Sequence, residues 1–294
     1  MVFNNNDIFK TLIEISGKDS KTFLQGQLTN DIALATENNS SISSLCTNQG
    51  KVLSVFRISK FNDSYLLETP TEIANNIINK LKIFTLNSDV KIQISKSLKL
   101  ISIQSDELNK TIKTPRNYLE IINIDNLQII KISQTKNRFN IIGKIQDIQN
   151  LTTKLQLTNA DNNEYQLLDI KDEFVNITCN TYDKFTPYAL NLDKQQAINF
   201  KKGCYVGQEI IARVKYLGAV KKRLYQAQVI TKNNIETGDK LLCEKNTSKQ
   251  GAGTIISIAQ NHKQENLCQL LINIDENIKN QMITTTDNDK ISIL

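Results

Sequence analysis

"FKKGCYVGQEIIAR", residues 200–213, sets Cys204 between a lysine pair and a Tyr-x-Gly-Gln-Glu run. Gly203 and Gly207 bracket Cys204, Tyr205 and Val206, and two glycines four apart permit a tight turn and close approach of backbone to a partner. Ile210, Ile211 and Val214 fit one face of a following helix, with Glu209 and Arg213 four apart in the order that favours an ion pair. Lys201 and Lys202 before the cysteine, and a helix start after it, both favour a reactive thiol. A lone cysteine is more often inert packing, but here its neighbours are polar or glycine. The expectation is a reactive, partly exposed Cys204, with Cys46, Cys179, Cys243 and Cys268 much less so.

The charge around this stretch is concentrated. Lys201, Lys202, Arg213, Lys215, Lys221, Lys222 and Arg223 stand against Glu209 alone, so the window carries the whole formal net charge of +6 of the 294-residue chain. Such a field attracts polyanions, either nucleic acid or a ligand bearing several carboxylates. The plainer reading is a solvated basic face. The other chemistries leave fewer marks. Five widely spaced cysteines with no C-x-x-C argue against a disulfide framework, and no intrinsic metal site is legible. His262 is the only histidine, which removes His-x-x-x-His metalloenzymes and argues against a Ser-His-Asp triad. Neither G-x-x-x-x-G-K-[ST] nor G-x-G-x-x-G occurs. No apolar run approaches the ~18 residues of a membrane span, and the start lacks a secretory signal, so the cytoplasm is the expected compartment.

Outward from the motif, strand and helix patterns intersperse. "FKTLIEISG" (9–17) reads as a strand and turn. "KDSKTFLQGQLTNDIALA" (18–35) offers Ser20 as a helix cap with Phe23, Leu24 and Leu28 at helical spacing. A turn is expected at Asn48-Gln49-Gly50. Residues 71–86 repeat Ile73, Ile77, Ile78 and Leu81 as a helical stripe, while "DVKIQISKSLKLISIQ" (89–104) and "NLQIIKIS" (126–133) alternate as strands. With no regular βαβ repeat, the class is α+β rather than α/β. After Gly218 short β-like runs separated by polar turns predict a C-terminal β-barrel of about 75 residues. "GAGT" (251–254) reads as hairpin geometry, since no helix follows to make a phosphate cradle. The expected division is an α+β region at 1–217 and the barrel at 218–294.

Lys202 to Glu209, "KGCYVGQE", resembles the signature of the YgfZ family of folate-binding proteins, relatives of the glycine-cleavage aminomethyltransferase. The resemblance extends to "FLQGQLTNDI" (23–32), "NQGKVLSVFRI" (48–58) and "TPYALNLDKQQAINF" (186–200), while residues 90–165 add little that is distinctive. It implies an aminomethyltransferase-like architecture: two intertwined α+β subdomains and a C-terminal β-barrel, ring-like with a central channel for folate. It further implies an accessory role in assembly or repair of iron–sulfur enzymes, including those that modify tRNA, with tetrahydrofolate or a derivative as bound ligand. Cys204 is then the functional thiolate with Lys202 beside it. Gln25, Gln27, Asn30, Asp31, Tyr205, Gln208, Glu209 and Arg213 are the expected channel-facing residues, together with Gly26, Gly203 and Gly207.

One stretch departs from the family pattern. Where relatives carry an aromatic before Leu-x-Ile-Glu-Ala-Gly-x-Pro, this chain has "EYQLLDIKDEFVN" (164–176). Tyr165 takes the aromatic place, but Lys171, Asp172 and Glu173 replace the Glu-Ala-Gly run, so the acid that would pair with the pterin's donor edge is lost or shifted. Three functions follow in order: the folate-dependent accessory factor, a tetrahydrofolate-dependent aminomethyltransferase, and a tRNA-binding protein. The second is disfavoured because Gly50 to Phe56 holds no carboxylate to serve the transfer. The third has only Tyr205, Tyr216 and Tyr225 among its cations. The expected partners are a reduced folate, with Lys215, Lys221, Lys222 and Arg223 suited to a polyglutamate tail, and iron–sulfur client enzymes, with no membrane.

Overall fold

The computed structural model describes residues 2–5, 9–159, 161–218, 220–231, 233–243, 252–260, 266–274 and 282–294. Two compact units divide the chain: one takes residues 1–45, 54–162 and 197–206, the other 46–53, 163–196 and 207–294.

The first unit opens with β1 (Val2–Asn5) and β2 (Lys10–Ser16), where alternation of apolar residues makes a half-buried strand. Gly17, at φ +107°, turns the chain against the Asp89 carbonyl, leaving no room for a side chain. Helix α1 (Ser20–Gln27) follows and buries Phe23 and Leu24. Its N-cap is Asp19 rather than Ser20, which is the first helical residue. The Asp19 carboxylate accepts from the Asp89 amide at 2.8 Å instead of capping the helix.

Strands β3 (Ser41–Cys46), β4 (Val52–Phe61) and β5 (Ser64–Pro70) lead into α2 (Thr71–Lys82), which carries Glu72 in its first turn and Lys80 and Lys82 in its last, both favourable to the helix dipole. The stripe of Ile73, Ala74, Ile77, Ile78 and Leu81 is buried, each side chain worth about 1.5–3 kcal/mol of burial. The helix stops four residues short of the expected end. Turn bonds take over after Leu81, leaving Phe84 and Leu86 exposed. Next come β6 (Lys91–Ile94), β7 (Leu98–Gln104), β8 (Ile121–Ile124), β9 (Leu127–Lys131), β10 (Arg138–Lys144), α3 (Ile145–Lys154) and β11 (Thr158–Asn159).

These strands form two sheets, ordered β3-β4-β5-β2-β6 and β11-β1-β7-β10-β9-β8. Leu12 and Leu66 from one pack with Leu100, Ile121, Ile130 and Ile142 from the other. On the same faces, a polar cluster is buried as deeply. Glu68 accepts from Lys10 at 3.0 Å, Arg57 at 2.9 Å and Asn140 at 2.6 Å, and Ser102 donates to Asn140 in turn. Helix α3 covers the second sheet with Ile148, Leu151 and Leu155.

The second unit contains α4 (Asn162–Lys171), α5 (Gln208–Leu217) and strands β12 (Lys222–Val229), β13 (Lys240–Cys243), β14 (Gly253–Gln260), β15 (Asn266–Asn273), β16 (Ile283–Thr284) and β17 (Lys290–Ile293). The strands close a barrel in the order β12-β15-β14-β13-β16-β17 around Ala227, Val229, Leu241, Ile255, Cys268 and Leu270. Leu167 and Ile170 of α4 pack on Ala259 of the barrel, and the Gln226 side chain donates to the Ile170 carbonyl at 2.8 Å. Of "GAGT", Gly251 lies outside the described residues, while Gly253 and Thr254 run into β14 opposite Ile272 and Leu271. His262 also lies outside the described residues. On α5 only Ile211 is buried; Val214 is partly covered and Ile210 is exposed, so the expected three-residue apolar face is narrower.

Candidate functional site

In the first unit the cysteine loop and the "FLQGQLTNDI" segment are brought together by bonds spanning some 170 residues of sequence. The Asn199 amide donates to the Thr29 carbonyl at 2.9 Å, and the Thr29 hydroxyl donates to the Ala197 carbonyl at 2.8 Å. The Val206 amide reaches the Gly26 carbonyl at 3.3 Å. Between these points Lys202 is buried. Its amine donates to the carbonyls of Leu28 at 2.7 Å and Asn30 at 2.9 Å, and lies 5.1 Å from the Tyr205 ring centroid.

Lys202 is therefore committed to backbone carbonyls, which corrects the expectation that it supplies free positive charge to Cys204. Burial lowers its pKa from 10.5 to about 8, with Asp31 opposing. A lysine whose folded pKa lies below its unfolded one binds fewer protons folded than unfolded across that interval. Stability therefore rises with pH between about 8 and 10.5. The expected result is that wild-type stability, measured relative to Lys202→Met by urea unfolding, increases from pH 7.5 to pH 10 (~2.5 units). A flat or falling difference would show that the amine is not held in this desolvated place.

Most of the other residues expected to face a ligand turn inward to the chain itself. Gln25 Oε1 accepts from the Ile32 amide at 2.9 Å, and Asp31 Oδ1 accepts from the Ala33 amide at 2.9 Å. Asn30 is buried, donating to the Ile42 carbonyl at 2.8 Å and accepting from the Asp31 amide at 2.9 Å. Gln27 differs: it is buried, and its Oε1 has no hydrogen-bond partner among the described residues. Tyr205 is also buried.

Cys204 is exposed, as is Gly203, and nothing lies within 4 Å of where a side chain at Gly203 would begin. Gly203 is thus not demanded by the fold. Cys46 and Cys268 are buried, the Cys268 thiol being pushed up to about 12 by desolvation, and Cys243 is half-buried. Cys179 departs from the expected ranking, because it too is exposed.

From Gly207 onward the signature belongs to the second unit. Gly207 is the N-cap of α5 at φ +81°, and a Cβ there would come within 2.5 Å of the Thr47 carbonyl oxygen. Thr47 to Lys51 form the expected turn, closed by Gly50 amide to Thr47 carbonyl at 2.8 Å, with Gly50 at φ +68° against Ile210. Gln208 is half-buried; Glu209 and Arg213 are exposed and form no ion pair with each other among the described residues.

Two further expectations are corrected in this unit. Tyr165 is a core residue of α4, 2% exposed, so its ring has no open face on which a pteridine could stack. Arg223 is no part of a free cationic window. Its guanidinium forks onto Asp193, with Nη2 to Oδ2 at 3.0 Å, and also donates to the Tyr188 carbonyl at 2.8 Å. Asn191 adds a bond to the Leu224 carbonyl at 2.8 Å. Neither Asp193 nor Asn191 was expected to matter, though both lie in the segment carrying the resemblance. Burial and Asp193 push the Tyr188 hydroxyl up to about 12. Among the described residues no cluster of three His, Cys, Asp or Glu could hold a metal ion, and no helix is long and apolar enough to cross a membrane.

The architecture matches the crystal structure of the glycine cleavage system aminomethyltransferase T from Bartonella henselae with a TM-score of 0.76, over 99% of this chain and 84% of that one. At 13% identity the likeness defines the fold: aminomethyltransferase-like α+β with a six-stranded C-terminal barrel. No family model matches the chain. The tRNA-modifying protein YgfZ of Colwellia psychrerythraea is 33% identical over 218 residues, 72% of this chain and 67% of the relative. That of Buchnera aphidicola subsp. Baizongia pistaciae is 30% identical over 260 residues, 85% and 80%. The chain belongs to the YgfZ family.

Proposed function

We propose that this protein serves tRNA modification in the cytoplasm as a folate-binding accessory factor that supports assembly or repair of iron–sulfur enzymes, with Cys204 as its working thiol. The observation that carries this reading is the placement of Cys204: exposed, beside an uncrowded Gly203, on a loop whose backbone is pinned by Lys202 and Val206. A thiolate held this way can attack a client's disulfide, forming a mixed disulfide and releasing the client's other sulfur as a thiolate. Alternatively, it can fill one ligand position of a cluster held mainly by the client. The folate assignment rests on the family resemblance. Gln27 Oε1 is the acceptor best suited to a pterin N–H, because no protein donor engages it among the described residues. The aminomethyltransferase reading is weaker. Ser54 stands among residues 50–56, its hydroxyl 2.8 Å from that of Thr69, and no residue there is an acid.

A direct tRNA contact is a second reading, favoured by the exposed end of α5. Tyr216 is 68% and Leu217 84% exposed, beside the exposed cations Arg213, Lys215 and Lys221. A base can stack on such a tyrosine while the cations meet phosphates.

The test is complementation of a strain lacking its own YgfZ-family protein, reading tRNA methylthiolation, beside a tetrahydrofolate titration. Cys204→Ser should abolish the modification while folding and folate affinity persist, and Cys179→Ser should leave it intact. Full complementation by Cys204→Ser would overturn the thiol assignment, and absence of saturable folate binding would overturn the ligand. Loss of a salt-sensitive tRNA gel shift in Tyr216→Ala would favour direct contact.

A further inference from the structure

Helix α2 of the first unit ends in an exposed apolar tip. Its C-cap Ile83 is 62% exposed, Phe84 37% and Leu86 82%, whereas the stripe from Ile73 to Leu81 is buried. Contiguous exposed side chains of this size mark interaction sites. The tip is also held in shape. The Phe84 amide donates to the Leu81 carbonyl at 3.0 Å, the Thr85 hydroxyl to the Lys82 carbonyl at 2.9 Å, and the Ser88 amide to the Thr85 carbonyl at 3.0 Å. Beyond it the Asp89 amide donates to the Asp19 carboxylate at 2.8 Å, which ties the loop to the turn before α1. A bonded backbone, rather than a frayed helix end, presents the three side chains.

Lysines surround this tip. Lys80 and Lys82 precede it, Lys91 follows it at the start of β6, and Lys18 stands next to the Asp19 that holds Asp89. The Lys80 ammonium lies 5.8 Å from the Phe84 ring centroid. None of the four lysines pairs with an acid among the described residues. Asp19 and Asp89 offset them only in part, so the loop is left with positive charge beside its apolar side chains. An acidic protein groove and an anionic lipid surface both complement such a charge. Size decides between them. Three side chains on one loop fall far short of the ~20–30 residues a side of a stable protein interface. A bilayer needs no matching shape. Apolar side chains enter the acyl boundary, while lysine stems lie along it and keep their ammonium groups among negative headgroups.

We propose that the 80–91 segment docks the protein peripherally on an anionic membrane surface, with Ile83, Phe84 and Leu86 inserted and Lys18, Lys80, Lys82 and Lys91 on the headgroups. The expectation of no membrane partner rested on the lack of a spanning run, and docking of this kind needs no spanning helix. It is independent of the folate and thiol readings.

Cosedimentation of the full chain with lipid vesicles tests it. Vesicles of phosphatidylcholine with about 30 mol% phosphatidylglycerol should bind at least about tenfold more tightly than phosphatidylcholine alone, and less so as salt is raised. Ile83→Asn/Leu86→Asn keeps every lysine and should weaken binding at least about tenfold at an unchanged melting temperature. Lys80→Gln/Lys82→Gln should weaken it in the same direction. Insertion can be read directly, because the chain has no tryptophan and Leu86→Trp places its only indole at the tip. The emission should shift to the blue on the anionic vesicles and be quenched by lipids brominated in their acyl chains. A wild type that stays in the supernatant, or an indole that neither shifts nor is quenched, overturns the proposal. Undiminished binding by the Ile83/Leu86 variant would reduce the contact to general charge attraction and overturn it too. So would a concentration-dependent dimer that the same variant abolishes, since the tip would then belong to a second copy of the chain.

Discussion

Gly207→Ala should lower stability by about 2–4 kcal/mol in urea unfolding, while Gly203→Ala, four residues earlier in the same motif, should change it by less than about 0.5 kcal/mol. At Gly207 two penalties add. A side chain at φ +81° costs about 1–2 kcal/mol, because the left-handed region crowds Cβ against the backbone. The new carbon would also lie 2.5 Å from the Thr47 carbonyl oxygen, far inside van der Waals contact. That oxygen cannot yield freely, because it accepts the Gly50 amide that closes the 47–51 turn. Gly50 Cα stands 3.2 Å from the same position and blocks the other escape. At Gly203 the backbone is unstrained and nothing lies within 4 Å. The pair separates a glycine needed for folding from one needed for approach. If Gly203→Ala keeps its stability yet loses complementation, the added methyl obstructs a partner at Cys204. An alanine variant at 207 as stable as wild type would show that the turn relaxes around it.

What could be read in advance divides by the range of the interaction. The α2 stripe is local, and Ile73, Ile77, Ile78 and Leu81 are buried as their spacing requires. The barrel was legible because short strands and polar turns recur at close intervals, and the "KGCYVGQE" signature was legible as a contiguous string. Lys202 escapes a local reading for a physical reason. A lysine beside a cysteine reads as a neighbouring cation, whereas its actual acceptors are carbonyls 172 and 174 residues away. Arg223 reads as free charge because nothing local announces Asp193, thirty residues upstream. Tyr165 stands at the aromatic place of a pattern, and burial in the core of its own unit overrides that place. The α1 boundary moved by one residue because Asp19 found a partner in Asp89, 70 residues on.

The least legible feature carries the larger expected effect. Lys10, Arg57 and Glu68 are charged residues on strands, yet their side chains are at most 4% exposed. Glu68 receives only donors: Lys10 and Arg57 on Oε1, and Asn140 on Oε2. A carboxylate suits this arrangement because both oxygens accept and its charge offsets the two cations. In Glu68→Gln the volume is kept but the charge is lost. Whichever way the amide turns, its NH₂ faces a donor, either Asn140 or the two cations. Removing one partner of a buried ion pair costs about 3–5 kcal/mol, chiefly because the remaining charge is left uncompensated. Because two cations lose this carboxylate, the upper part of that range is expected, read as a fall in the urea midpoint at an unchanged slope. The damage should shrink when the charges leave together. Lys10→Met/Arg57→Met/Glu68→Leu should be more stable than Glu68→Gln alone, since apolar residues of similar volume often replace a buried ionic cluster at little cost. The cluster lies between the two sheets of the first unit, beside the apolar contacts of Leu12, Leu66 and Ile142. A loss under about 1 kcal/mol in Glu68→Gln would mean that water reaches Lys10 and Arg57 in the folded protein and that apolar packing alone joins the sheets.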